Sequence, residues 1–232
     1  MNNVTYLEPI IFSTESEEYI KKYDGKNYEI WKGTGKEITA IRKELRDYYK
    51  PLQNYCCSYC RLDNTQGHGL TWDVEHIAPK KEFPQFLFEP RNLSLSCRDC
   101  NTHKNKKSVL DKEKGDFSVN YPIDGEFFSI IHPHFDDYSK YILLIKTDGG
   151  YIYKPIHPKG HQTYKQCNLS RFLTYKAHNV NNSNIADAVM ARLVELRVSG
   201  RINISREDAE CILEDISKNL EIEVNTSFKE GE

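Results

Sequence analysis

The sequence predicts an α+β fold: a strand–strand–helix unit closed by paired cysteines, with an added β-hairpin and flanking α-helices. Three observations carry this. Two Cys-x-x-Cys pairs, Cys57/Cys60 and Cys97/Cys100, are separated by 36 residues. Between them, residues 70–76 (LTWDVEH) and 92–96 (NLSLS) alternate as strands do, and residues 100–108 continue without a helix breaker. Farther on, residues 140–146 and 151–155 are strand-like runs joined by Thr147-Asp148-Gly149-Gly150, which suits a hairpin turn.

The flanking elements follow in order. Residues 4–12 predict a short strand or extended arm ending in Ile10, Ile11 and Phe12. Ser13 or Thr14 can cap a short acidic helix. Residues 21–35 are rich in turn formers. A clearer helix runs from Lys36 to Tyr49, with Ile38, Ile41, Leu45 and Tyr48 at helical spacing and Pro51 as its stop. Beyond the hairpin, residues 164–177 predict a helix. Residues 184–197 predict an amphipathic one, and residues 205–220 a last one opened by Ser205. The expected division is 1–50, an arm and helix with surface for partner docking; 51–110, the core; and 111–232, the hairpin and helical region.

Composition narrows the function. The net charge of −2 excludes a chain that is basic all over, so any nucleic-acid contact needs a local cluster of Lys and Arg. No apolar run approaches the ~18 residues needed to span a bilayer. The first residues lack a basic, then apolar, export pattern. The expectation is a cytoplasmic protein with no membrane partner. In a reducing compartment paired Cys-x-x-Cys spacing favours metal over disulfide. Cys57, Cys60, Cys97 and Cys100 then form a closed tetrahedral four-sulfur site suited to structural Zn2+. Cys56 is a spare neighbour. Cys57 is preferred because its spacing to Cys60 repeats that of the second pair. Cys167 and Cys211 fall in helical patterns and are expected as buried small hydrophobes.

Inside the cysteine bracket stand Glu75-His76, Asn92 and Asn101-x-x-Lys104. An imidazole has the right ordinary pKa to take a proton from water. A carboxylate beside it can hold a hard divalent cation, with an Asn oxygen as a second ligand. A lysine one helical turn on can meet a phosphate. Strict alternation places Glu75 and His76 on opposite faces of their strand.

These residues resemble the HNH nuclease family, whose core is a ββα-metal fold. The match is carried by Glu75-His76-Ile77-x-Pro79, Asn92-Leu93 and Cys97-x-x-Cys100-Asn101-x-x-Lys104. The resemblance implies catalytic roles for Glu75, His76, Asn92, Asn101 and Lys104. His76 would be the general base, and Asn92 would hold the loop and orient it. Glu75 and Asn101 would hold catalytic Mg2+ or Mn2+. His103 is the alternative to Asn101. The implied products carry 5′-phosphate and 3′-hydroxyl ends. Lys80, Lys81, Arg91, Arg98, Lys104, Lys106 and Lys107 are the expected nucleic-acid contacts, and no base-reading motif accompanies them.

Ile131-His132-Pro133-His134 with Asp136-Asp137 suggests either a second metal site or, more simply, a polar loop. With the hairpin and Asn168-Leu169-Ser170-Arg171-Phe172-Leu173, it resembles the distal part of the HNH subunits of Septu-type antiphage systems and related retron systems. That resemblance implies a defence nuclease acting on DNA beside an ABC-type or SMC-like ATPase partner. This chain has no Walker A sequence of its own. Two other readings remain: an RNA-directed effector cleaving tRNA, and a zinc-knuckle adaptor without catalysis.

Overall fold

The computed structural model describes residues 6–63, 72–147 and 150–174, together with Val194 and Val198. The helices expected at 184–197 and 205–220, and Cys211, lie outside this set apart from Val194. The chain divides into two compact units. The first comprises residues up to Tyr138 with Lys165–Asn168, and the second Ser139–Tyr164 with residues from Leu169 onward.

The first unit is mixed α/β. Residues 6–13 form an extended arm that joins no sheet; its Leu7 amide donates to the Pro133 carbonyl at 2.8 Å. Helix α1 (Thr14–Ile20) is capped by the Ser13 hydroxyl, which accepts from the Ser16 amide. Glu44 accepts from the Ser13 amide, the Ser13 hydroxyl and the Ser16 hydroxyl, fastening this end to helix α2 (Lys36–Leu52). Helix α2 buries Ile38, Ile41, Leu45 and Tyr49, one stripe at helical spacing. Pro51 does not stop it at once. The helix continues through Leu52 and breaks at Asn54 and Tyr55, both in the left-handed region. Pro51 lacks the N–H that would bond the Asp47 carbonyl, so the helix loses a bond in its last turn just before it ends.

Strands β1 (Trp72–His76) and β2 (Leu93–Cys97) pair antiparallel, Trp72 opposite Cys97 and His76 opposite Leu93. Helix α3 (Arg98–Lys104) follows directly and ends at Asn105, whose φ is 49°. The order is strand, strand, helix. The N-terminal segments share its core: Leu7, Ile10, Trp31, Ile38, Ile41, Leu45 and Tyr49 cluster with Trp72, Leu87, Phe88, Leu93 and Leu95. Leu7 and Ile10 of the arm and the apolar stripe of α2 are thus buried in the unit, while Tyr6 and Ile11 of the arm stay exposed.

The second unit holds the antiparallel hairpin β3 (Ile142–Thr147) and β4 (Gly150–Pro155). Helix α4 (Pro158–Gln166) approaches it so closely at Gly160 that a Cβ there would lie 1.9 Å from the Tyr141 carbonyl oxygen. The single helix expected over 164–177 is broken. Asn168 takes a left-handed φ of 50°, and a separate helix α5 begins at Arg171. Among the described residues no helix is long and apolar enough to cross a membrane.

Candidate active site

The four bracketing cysteines come together. Cys57, Cys60, Cys97 and Cys100 place their sulfurs within 4.8 Å of one another. A tetrahedron with Zn–S bonds of about 2.3 Å has edges of about 3.8 Å, and the Cys60 and Cys97 sulfurs lie 3.9 Å apart. Hydrogen bonds from the Cys100, Cys57 and Cys60 thiols, and from the Cys100 amide, push the Cys97 thiol far down toward thiolate. The donor set fits Zn2+. Cys56 stays outside, bonded to the Asn54 carbonyl, and Cys167 is fully buried. The first knuckle docks on β2: Ser58 donates its amide and hydroxyl to the Leu95 carbonyl, and the Gln53 side chain exchanges hydrogen bonds with Leu95 on the same edge.

Beside this staple is a cleft of about 350 Å³. One wall is Glu75, His76, Pro79, Lys80 and Lys81; another is Asn101, Thr102, Asn105 and Lys106. Glu75 and His76, expected on opposite strand faces, both line it. The strand pairs regularly to His76, so the cleft is reached at the strand's end, where the chain turns through Pro79.

His76 is 5% exposed. Its Nε2 lies 3.1 Å from the Leu87 carbonyl. That oxygen can only accept, so Nε2 carries the proton and Nδ1 is a bare lone pair. Nδ1 is buried and has no hydrogen-bond partner. The Trp31 ring stands edge-on at 4.5 Å. Burial, and then the Lys80 ammonium, hold this imidazole well below its ordinary 6.5. The ring is therefore neutral, with one nitrogen anchored and the other buried without a partner.

Asn92 is fully buried. Its Oδ1 accepts from the Ala78 amide at 2.7 Å, and its Nδ2 donates to the Ala78 and Phe86 carbonyls. It ties Ala78 to Phe86, the residue next to Leu87, whose carbonyl anchors His76. It makes no hydrogen bond to the His76 ring itself, whose partner is the Leu87 carbonyl.

The placement of Lys104 differs from the expected phosphate contact. It is 1% exposed, with Nζ 2.6 Å from Glu75 Oε1 and 3.1 Å from the His76 carbonyl. The reason is helical spacing: Cys100 must face the sulfur cluster, and a residue four positions on shares its face. Glu75, 2% exposed, also accepts from the Tyr59 hydroxyl at 2.9 Å, again on Oε1. Removing one partner of a buried ion pair costs about 3–5 kcal/mol. Lys104→Met is expected to lose about that much in urea denaturation, and the double variant Glu75→Gln/Lys104→Met to recover most of it. An unchanged midpoint for the single variant would contradict the pairing.

Asn101 lines the cleft, and its Nδ2 donates to Asp73 Oδ2 at 2.9 Å. Asp73 sits two residues before Glu75, so the strand period could have identified it. His103 is exposed, with Nε2 near the Asn168 amide, and does not line the cleft. Of the expected basic contacts, Lys80, Lys81 and Lys106 line it. Arg91 and Arg98 are exposed elsewhere, and Lys107 donates to the Gln166 carbonyl. The sequence reading missed the remaining wall, formed by Tyr28, Glu29 and Lys32 of a 3-10 turn. Arg42 on α2 holds that turn through the Trp31 and Gly33 carbonyls.

The HPHFDD segment is structural. His134 bonds the Leu7 and Leu93 carbonyls through its two ring nitrogens. The His132 amide donates to Asp136 Oδ2, and the His132 ring stacks on Phe135. Among the described residues, the four cysteines are the one group of three or more His, Cys, Asp or Glu side chains placed to hold a metal.

Residues 57–107 match the HNH endonuclease family. The chain is 32% identical over 103 residues to Protein ea31 of Escherichia phage lambda, across 40% of this chain. It is 34% identical over 76 residues to Septu protein PtuB of Bacillus thuringiensis, across 30% of this chain. The chain spans 28% of the length of each relative. The sulfur cluster, the antiparallel strand pair and α3 all fall within the matched stretch, and residues 57–107 are an HNH endonuclease domain with a four-cysteine site able to hold zinc.

Proposed function

We propose that this protein is a metal-dependent endonuclease that hydrolyses phosphodiester bonds of DNA. The observation that carries this reading is the unpartnered, buried Nδ1 of a neutral His76 in a cleft shared with Glu75 and Asn101. His76 Nδ1 takes the proton from the attacking water. The Leu87 carbonyl holds the opposite nitrogen, so the ring cannot turn away as it becomes charged. Mg2+ or Mn2+, held by Glu75 and Asn101, would bind the scissile phosphate and stabilise the leaving 3′ oxygen. Both residues reach the cleft, and Glu75 still has Oε2 to offer, which suits a hard cation. Lys80, Lys81 and Lys106, joined by Lys32 across the cleft, steady the backbone phosphates.

The partial similarity to Septu protein PtuB supports a further step. The chain is read as the nuclease effector of an antiphage complex, with an ATPase supplied by another chain. Incubation with plasmid and with total tRNA in Mg2+ or Mn2+, with and without the product of the neighbouring gene, tests both levels. Nicked or linear DNA with 5′-phosphate ends, lost in EDTA, is expected. Cleavage of tRNA alone would move the substrate to RNA. Binding with no cleavage under any of these conditions would leave only a zinc-knuckle adaptor.

A further inference from the structure

The zinc staple and the cleft are joined by one side chain that neither role accounts for. Tyr59 lies between Cys57 and Cys60 and is fully buried. Its amide donates to the Cys57 sulfur at 3.4 Å, and its carbonyl accepts from the Tyr138 hydroxyl at 2.8 Å. Its backbone is thus held by the knuckle on one side and by a second tyrosine on the other. Its hydroxyl reaches Glu75 Oε1 at 2.9 Å, the same oxygen that Lys104 Nζ meets at 2.6 Å.

We infer that Tyr59 is a positioning residue that couples the cysteine staple to the catalytic cation by locking the Glu75 carboxylate in one rotation. This rests on the reading of Glu75 as a metal ligand. Two donors on Oε1 stop the carboxylate from turning about its last bond. Oε2 is then the oxygen directed to a cation, and ligation is through one oxygen rather than two. The Lys104 ammonium on Oε1 opposes a cation approaching that oxygen, which favours the same choice. Groups that hold a ligand from behind commonly change metal affinity by roughly 10–100-fold when removed. Here Lys104 would still hold Oε1 without Tyr59, so the lower end of that range applies.

The test is Mn2+ affinity, read by electron paramagnetic resonance on the full chain without substrate, with zinc content measured on the same samples. Glu75→Gln is expected to abolish the Mn2+ signal of the site. Tyr59→Phe keeps the ring in the core; it is expected to retain zinc and weaken Mn2+ binding about tenfold. Should Tyr59→Phe shed zinc, Tyr138→Phe carries the test, since it removes only the bond to the Tyr59 carbonyl. A loss of Mn2+ affinity with zinc retained is the expected result there too. If Glu75→Gln binds Mn2+ as the wild type does, the metal-ligand reading fails and takes this inference with it. If Glu75→Gln loses Mn2+ while the tyrosine variant, zinc retained, binds as the wild type does, the positioning role alone is overturned.

Discussion

His76→Ala is expected to lower the rate of phosphodiester cleavage by about 10²–10⁴-fold, the usual contribution of a positioned acid–base group, with zinc retained and a melting temperature lowered by several degrees, because a buried ring packed on Trp31 is lost and the Leu87 carbonyl is left unpaired. The ring's one hydrogen bond is to a carbonyl, that of Leu87. Its removal takes away the lone pair at Nδ1 without breaking the ion pair of Glu75 and Lys104. Quantitative cleavage of a labelled duplex, beside zinc analysis, checks both halves. Wild-type cleavage by a zinc-loaded variant would remove His76 from the mechanism.

The same ring sets a pH dependence. A base must be unprotonated, and burial holds this imidazole well below 6.5. As pH falls from 8 to 6.5, kcat/KM at saturating metal is therefore expected to show no loss assignable to His76, and to decline only as pH crosses the lowered value. An ordinary histidine would be half protonated at 6.5. For stability the sign is also defined. The unfolded chain binds a proton near 6.5 and the folded chain does not, so His76 leaves stability unaffected above that pH and erodes it as pH falls toward the folded value.

Zinc removal is expected to have the largest effect on the fold. Structural zinc contributes on the order of 10 kcal/mol of apparent binding energy at pH 7 in small zinc-dependent folds. Here the cluster ties the segment before β1 to the start of α3. Cys100 is fully buried, so Cys100→Ala should abolish stoichiometric zinc and lower the melting temperature by tens of degrees. Zinc analysis with thermal melts followed by circular dichroism decides the matter. A variant that melts as the wild type does would assign the staple a role other than folding.

The residues legible in the sequence were those whose chemistry depends on near neighbours along the chain. The cysteine pairs repeat one spacing, and the strands announce themselves by alternation. Ile38, Ile41 and Leu45 mark one face of α2 at helical period. Lys104 was misplaced although the information was present, because the four-residue step from Cys100 already turns it inward. Tyr59 was not legible, because nothing next to it in the chain marks its hydroxyl's partner. Its target, Glu75, lies across the fold. The break at Asn168 was hidden because a left-handed residue leaves the apolar spacing on either side almost undisturbed.

By itself, then, the sequence determined the four-cysteine cluster able to hold zinc, the strand–strand–helix order, and Glu75, His76 and Asn101 as side chains that meet in one cleft. Tertiary structure alone decided their states. It anchored one nitrogen of His76 on Leu87 and left the other buried without a partner, turned Lys104 from the surface into a buried counter-charge, and brought Tyr28 and Lys32 to the cleft from a distant turn. The physical reason is that protonation, pairing and access depend on what surrounds a group in space. Those surroundings come from segments far apart in the chain.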